Sequence, residues 1–85
     1  MNHFYRNVPK LGNVAVSRHA QKRMEEDQIS HEAFERVLLT PIKPDIRDGE
    51  DILWRERDGI RIVILASGAK LVKTVYRIEE QAKAR

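Results

Sequence analysis

Asp58-Gly59 constrains this chain more than any other pair of residues. Both central positions of a two-residue hairpin turn want positive φ, which glycine adopts freely and aspartate tolerates. The flanking runs, Ile52 to Arg57 and Ile60 to Ala66, are rich in β-branched residues and read as paired strands. The register follows from the turn: Arg57 pairs with Ile60, Glu56 with Arg61, and Trp54 with Val63. Directly paired residues share a sheet face. One face then carries Leu53, Arg55, Arg57, Ile60, Ile62 and Ile64. The other carries Ile52, Trp54, Glu56, Arg61, Val63 and Leu65. Ser67-Gly68 turns the chain into a third strand, Leu71 to Ile78. A tight turn there sets Val72 beside Leu65, Thr74 beside Val63 and Tyr76 beside Arg61. Val75 joins the isoleucines, with Lys73 and Arg77 near them. The isoleucine-rich face is the expected core. The opposite face has an apolar end and a polar end, and the polar end gathers Glu56, Arg61, Thr74 and Tyr76.

Upstream, the apolar period changes from two to that of a helix. Ser17 is the expected N-cap of a helix over 18–27, with Ala20 and Met24 as its apolar row. Ser30 caps a second helix over 31–39, where Phe34, Val37 and Leu38 repeat at helical spacing. Ile29 is placed to reach across the turn to Phe34 as a hydrophobic staple. Pro41 stops this helix. Residues 41–51 are acidic and turn-rich, with a short edge strand expected within 44–48. Residues 1–14 read as a poorly periodic leader punctuated by Pro9 and Gly12, and Val14 and Val16 mark a short extended piece. A single domain is expected over 15–78, with a charged tail at 79–85. The expected architecture is α+β: two N-terminal helices packed on a three- to four-stranded antiparallel sheet. This element order excludes a doubly wound nucleotide-binding fold, and the glycine spacing of a dinucleotide site is absent.

At 85 residues the chain supports one modest core, which a homodimer would help to cover. The absence of cysteine excludes a disulfide staple and a thiolate nucleophile. It suits a reducing compartment, so a cytoplasmic location is expected. No apolar run is long enough to span a membrane or resembles a signal peptide. The net charge of +3 is unevenly spread. Residues 1–23 carry Arg6, Lys10, Arg18, Lys22 and Arg23 with no acid; 25–51 are acidic; 52–85 are basic again. A fold that joins the two basic ends makes a positive patch suited to phosphate backbones; the plainer reading is an ordinary solvated surface.

His19 is the residue best able to exchange a proton near neutral pH. Arg23, four residues on, shares its helix face and offers a planar fork of donors suited to phosphate. Metal-free ribonuclease chemistry needs an activated 2′-hydroxyl, a protonated leaving oxygen and a stabilised phosphorane. His19, Arg23, Thr74 and Tyr76 form the candidate catalytic set, and Arg61, Lys22, Arg55, Arg57 and Lys73 the candidate phosphate contacts. Each also has a plainer reading. His19 is equally a solvated helix residue. Glu56 and Arg61 suit a cross-strand ion pair, and Arg55 and Arg57 a solvated edge. Trp54 either packs or, if exposed, stacks on a base. The histidines have neither the spacing nor the acidic partners of a zinc site, so no metal or cofactor is expected.

The stretch His19-Ala20-Gln21-Lys22-Arg23-Met24, the Ile29-Ser30 step and the strand Lys73-Thr74-Val75-Tyr76 together resemble a family of small bacterial and phage domains. The resemblance covers about residues 15–78. That family is similar in layout to the RelE and BrnT toxins, although the lysine-x-histidine-glycine start of BrnT-like proteins is missing here. The resemblance implies a metal-independent ribonuclease neutralised by an antitoxin, with His19 and Arg23 contributed by the helix and Thr74 and Tyr76 by the last strand. The alternative expectation is a non-catalytic module that binds nucleic acid or another small protein. A purely structural small protein, working as an oligomer, is a third.

Overall fold

A computed structural model describes residues 3–78. The charged tail expected at 79–85 lies outside the described residues. Six strands and two helices follow in the order β1 (Phe4–Val8), β2 (Gly12–Val16), α1 (Arg18–Glu26), α2 (His31–Leu39), β3 (Ile46–Arg47), β4 (Ile52–Arg57), β5 (Ile60–Leu65) and β6 (Lys70–Arg77). All six strands form one sheet in the order β1-β2-β6-β5-β4-β3. β2 and β6 run parallel, and the other neighbours run antiparallel. The expected three- to four-stranded antiparallel sheet with RelE/BrnT-like layout is therefore corrected to a mixed sheet of six.

The correction has a local cause. β1 contains a bulge between Tyr5 and Val8, and Asn7 within it has φ 57°. Tyr5 and Val8 are both buried, so their spacing is three rather than two. A bulge breaks the alternation by which a strand is recognised. The segment read as a leader is thus a hairpin, turning through Pro9 and Lys10, with Leu11 folded back into the core.

The central hairpin forms as its turn demands. Asp58 and Gly59 both have positive φ, at 55° and 76°, and Arg57 pairs with Ile60. Residues of paired strands then stack in rungs. On the helix side, Val16, Val72, Ile64 and Leu53 form one rung; Val75, Ile62 and Arg55 form the next; Arg77, Ile60 and Arg57 close the series. The isoleucine-rich face is the core, as expected: Ile60, Ile62, Ile64, Val72 and Val75 are buried with Phe34, Val37, Leu38, Ala20 and Met24.

One residue of β6 departs from the expected register. Lys73 is inserted as a bulge between the pairs Val63–Thr74 and Ile64–Val72. The bulge turns Val72 into the core and Leu71 onto the far face, where a regular ladder would place Val72. It also frees the Lys73 carbonyl to accept a 3.0 Å hydrogen bond from the Ser17 hydroxyl, while Ser17 Oγ accepts one from the Ala20 amide. Ser17 is therefore both the N-cap of α1 and its tie to β6. Ser17→Ala is expected to lower stability by about 1–2 kcal/mol, the upper half of the range for cap removal. Urea denaturation measures this, and a loss below a few tenths would refute the double role.

α1 ends in a Schellman motif: the Ile29 amide donates to the Met24 carbonyl and the Gln28 amide to Glu25, with Gln28 at φ 56°. Ser30 caps α2 by accepting from the Ala33 amide. Tyr5 ties β1 to α2 by donating to Glu35 at 2.8 Å, its ring 6.0 Å from that of Phe34. Burial first, then the Glu35 hydrogen bond and charge, hold the Tyr5 phenol well above its ordinary pKa, so it remains a neutral donor. No helix among the described residues is long and apolar enough to cross a membrane.

Candidate functional site

The sheet face opposite the helices is uncovered. Its side chains also stand in rungs. Phe4, Ala15, Leu71, Leu65 and Ile52 make an apolar rung across five strands. Thr74, Val63, Trp54 and Ile46 make the second; Tyr76, Arg61 and Glu56 make the third. The apolar and polar ends expected from the hairpin register are both present. Phe4 and Ile46 remain 49% and 40% exposed.

The polar rung is tightly bonded. Arg61 Nε donates to Glu56 Oε2 at 2.5 Å and Nη1 donates to the Tyr76 hydroxyl at 3.0 Å. The guanidinium lies 4.0 Å from the Trp54 ring centroid and 5.7 Å from that of Tyr76. This is cation–π geometry. Lys43 Nζ reaches the other Glu56 oxygen at 3.4 Å. Burial alone would lower the Arg61 pKa. The Tyr76 and Glu56 hydrogen bonds and charges outweigh it and raise the value, so the cation persists. The Glu56–Arg61 pairing was legible from the hairpin register. Lys43 was not, because it comes from the irregular segment before β3.

His19 and Arg23 lie in the other layer. His19 is exposed on α1, whose buried residues Ala20 and Met24 face the sheet. Arg23 is engaged within its own helix, with Nη2 donating to Asp27 Oδ2 at 3.3 Å and Nε 4.0 Å from Glu26 Oε1. Thr74 and Tyr76 flank Val75, which is buried under the helices, so strand alternation points both toward the open face. His19 and Arg23 thus stand on α1, and Thr74 and Tyr76 on the face of β6 opposite Val75. The sheet brings together Arg61 and Tyr76, and it leaves Lys22 and Lys73 exposed on the α1 side and at the bulge.

Arg55, Arg57 and Arg77 serve the fold. Arg55 is 1% exposed. Its Nε and Nη2 donate to both Asp45 oxygens at 2.8 Å, Nη1 donates to the Leu38 carbonyl at 2.7 Å, and Nη2 also donates to the Pro9 carbonyl at 2.9 Å. Arg57 donates to the Thr40 carbonyl and, at 2.8 Å, to its hydroxyl. Arg77 donates to the carbonyls of Asp27 and Gln28. Each helix C-terminus, where unpaired carbonyls and the negative end of the dipole meet, is thus held by arginine from the sheet. This use was missed from sequence, where nothing marks which arginines lie beneath a helix end. A phosphate meets Arg55 only if these elements part.

Among the described residues, no group of three or more His, Asp or Glu side chains is placed to hold a metal ion. No curated protein and no solved structure matches the chain. A family model described as a domain of unknown function, DUF4258, matches residues 16–77. That span runs from the last residue of β2 to the last of β6, taking in both helices, the central hairpin and every residue of the polar rung. The chain belongs to the DUF4258 family of domains of unknown function.

Proposed function

We propose that this chain is a nucleic-acid-binding module whose ligand is RNA, and that it acts by contact rather than by cleavage. The observation that carries this reading is a set of exposed basic side chains on α1 and at the β6 bulge that no acid neutralises. The Ser17–Lys73 hydrogen bond brings the start of α1 against the β6 bulge. Arg18, Lys22 and Lys73 are exposed and form no ion pair among the described residues. Exposed, unpaired cations release counterions when they meet phosphates.

The competing reading is a RelE/BrnT-like ribonuclease toxin with an antitoxin partner. It needs His19 and Arg23 to share one phosphate with Thr74 and Tyr76, whereas Arg23 is engaged with Glu26 and Asp27 of its own helix end. Mixed cellular RNA incubated with the protein in chelator tests both readings. The expected result is intact RNA, retained by protein in a salt-dependent manner and equally by His19→Ala. The slope of log affinity against log salt is expected to fall by about 0.7 for each phosphate contact removed on a single strand, as at Lys22→Ala or Lys73→Ala. Chelator-resistant cleavage that disappears in His19→Ala would instead establish the ribonuclease. Affinity indifferent to salt would overturn phosphate binding altogether.

A further inference from the structure

We infer that the uncovered sheet face is a stacking platform for unpaired bases, so that the RNA recognised is single-stranded; the inference rests on the RNA-binding reading above. An uncovered antiparallel face ordinarily turns polar side chains to water. Here it holds three of the chain's five aromatic residues: Phe4, Trp54 and Tyr76. The other two, Tyr5 and Phe34, are core residues. Trp54 and Tyr76, both half-buried, stand in successive rungs on β4 and β6, strands about 10 Å apart, with Arg61 of β5 stacked on the Trp54 ring between them. Aromatic rings and guanidinium planes are the surfaces on which splayed bases stack.

Charge selects this occupant over an acidic or purely apolar one. Glu56 is the one acidic residue in the described strands, and Lys43 and Arg61 both hold it. The rung itself is neutral, and Lys43 gives that end one net positive charge, with Tyr76 adding a hydroxyl donor. The acidic turn at Asp48, Glu50 and Asp51 borders the other end, where the Asp51 carbonyl accepts from the Ala66 amide beside Leu65. Phosphates are excluded there, so the strand is held toward the Arg61 end. A duplex offers this face no unstacked base, because its rings are already paired and stacked.

Trp54 is the only tryptophan in the chain, so its fluorescence reports this face directly on the unaltered protein. The test titrates a fluorescently labelled oligouridine, and a labelled duplex of the same length, while following oligonucleotide anisotropy and Trp54 emission together. The expected result is saturable quenching of Trp54 that tracks oligouridine binding and is absent with duplex. Trp54→Leu, with an unchanged circular dichroism spectrum, is expected to weaken oligouridine binding at least about fivefold, the lower end for one stacked base. Binding seen by anisotropy with unchanged Trp54 emission, or with equal affinity for duplex, would overturn the platform and leave the RNA reading standing. No change in anisotropy with either probe would remove both. Trp54 emission that shifts with protein concentration alone would show the face covered by a second copy, which also overturns the platform.

Discussion

Arg55→Met is expected to cost about 3–5 kcal/mol, the loss typical when one partner of a buried ion pair is removed. For a domain whose total stability is of order 5–15 kcal/mol, that leaves the native state marginal. The reason is the number of groups that depend on one side chain. Asp45 loses two charge-assisted hydrogen bonds, and the carbonyls of Leu38 and Pro9 each lose a donor. Those three residues come from the loop before β3, the end of α2 and the β1–β2 turn. Methionine fills much of the volume and satisfies none of them. Arg55→Lys is expected to recover little, because an ammonium lacks the planar fork that meets both carboxylate oxygens while reaching a carbonyl. Thermal unfolding followed by circular dichroism measures the effect. A melting temperature within a few degrees of the parent would show that the network contributes little.

The second large effect arises from volume rather than polarity. Phe34→Ala is expected to destabilise by about 3–5 kcal/mol through lost burial and an unfilled cavity. Phe34 is fully buried between the Tyr5 ring and the hydrophobic cluster beneath α2. Phe34→Leu, which keeps most of the volume, is expected to cost no more than about 1.5 kcal/mol. Urea midpoints for the two variants separate the contributions. Equal losses would mean that the aromatic contact with Tyr5, rather than the space filled, is what the site requires. The contrast with Arg55 is diagnostic: a conservative replacement rescues Phe34 and does not rescue Arg55.

These two positions also mark where sequence is informative. Phe34 was legible as core, because Val37 and Leu38 repeat it at helical spacing and Ser30 fixes where the helix begins. The strand faces were legible for the same kind of reason, since Asp58-Gly59 sets the register of β4 against β5 and the isoleucines then share a side. Arg55 read as a solvated edge or a phosphate contact. Its burial depends on partners 10, 17 and 46 residues away, and no local pattern encodes their convergence. The hidden elements follow the same rule. β1 is masked by its own bulge, and the bulge at Lys73 moves Val72 from the expected open face to the core. The parallel seam of β2 and β6 has no local signal, because nothing between these strands states that they meet. The candidate site divided likewise. Glu56, Arg61 and Tyr76 were grouped correctly by cross-strand pairing. His19 was joined to Thr74 and Tyr76 by the chemistry their side chains can share and by resemblance, without a geometric argument for the side of the sheet on which α1 lies.

The parallel seam governs when the fold can be completed. Ser17 and Lys73, at its edge, are 56 residues apart, and β2 has no second neighbour until β6 exists. At roughly 5–20 residues per second on the ribosome, β2 waits about 3–11 s with one edge unpaired. Through that interval the nascent chain presents an open strand edge, a known route to mispairing between chains. The β1–β2 hairpin, formed early from local contacts, shields the opposite edge, and β6 then enters between two hairpins already made. β6, made after the other five described strands, is thus the central join of the sheet, and the two halves can consolidate only when it arrives.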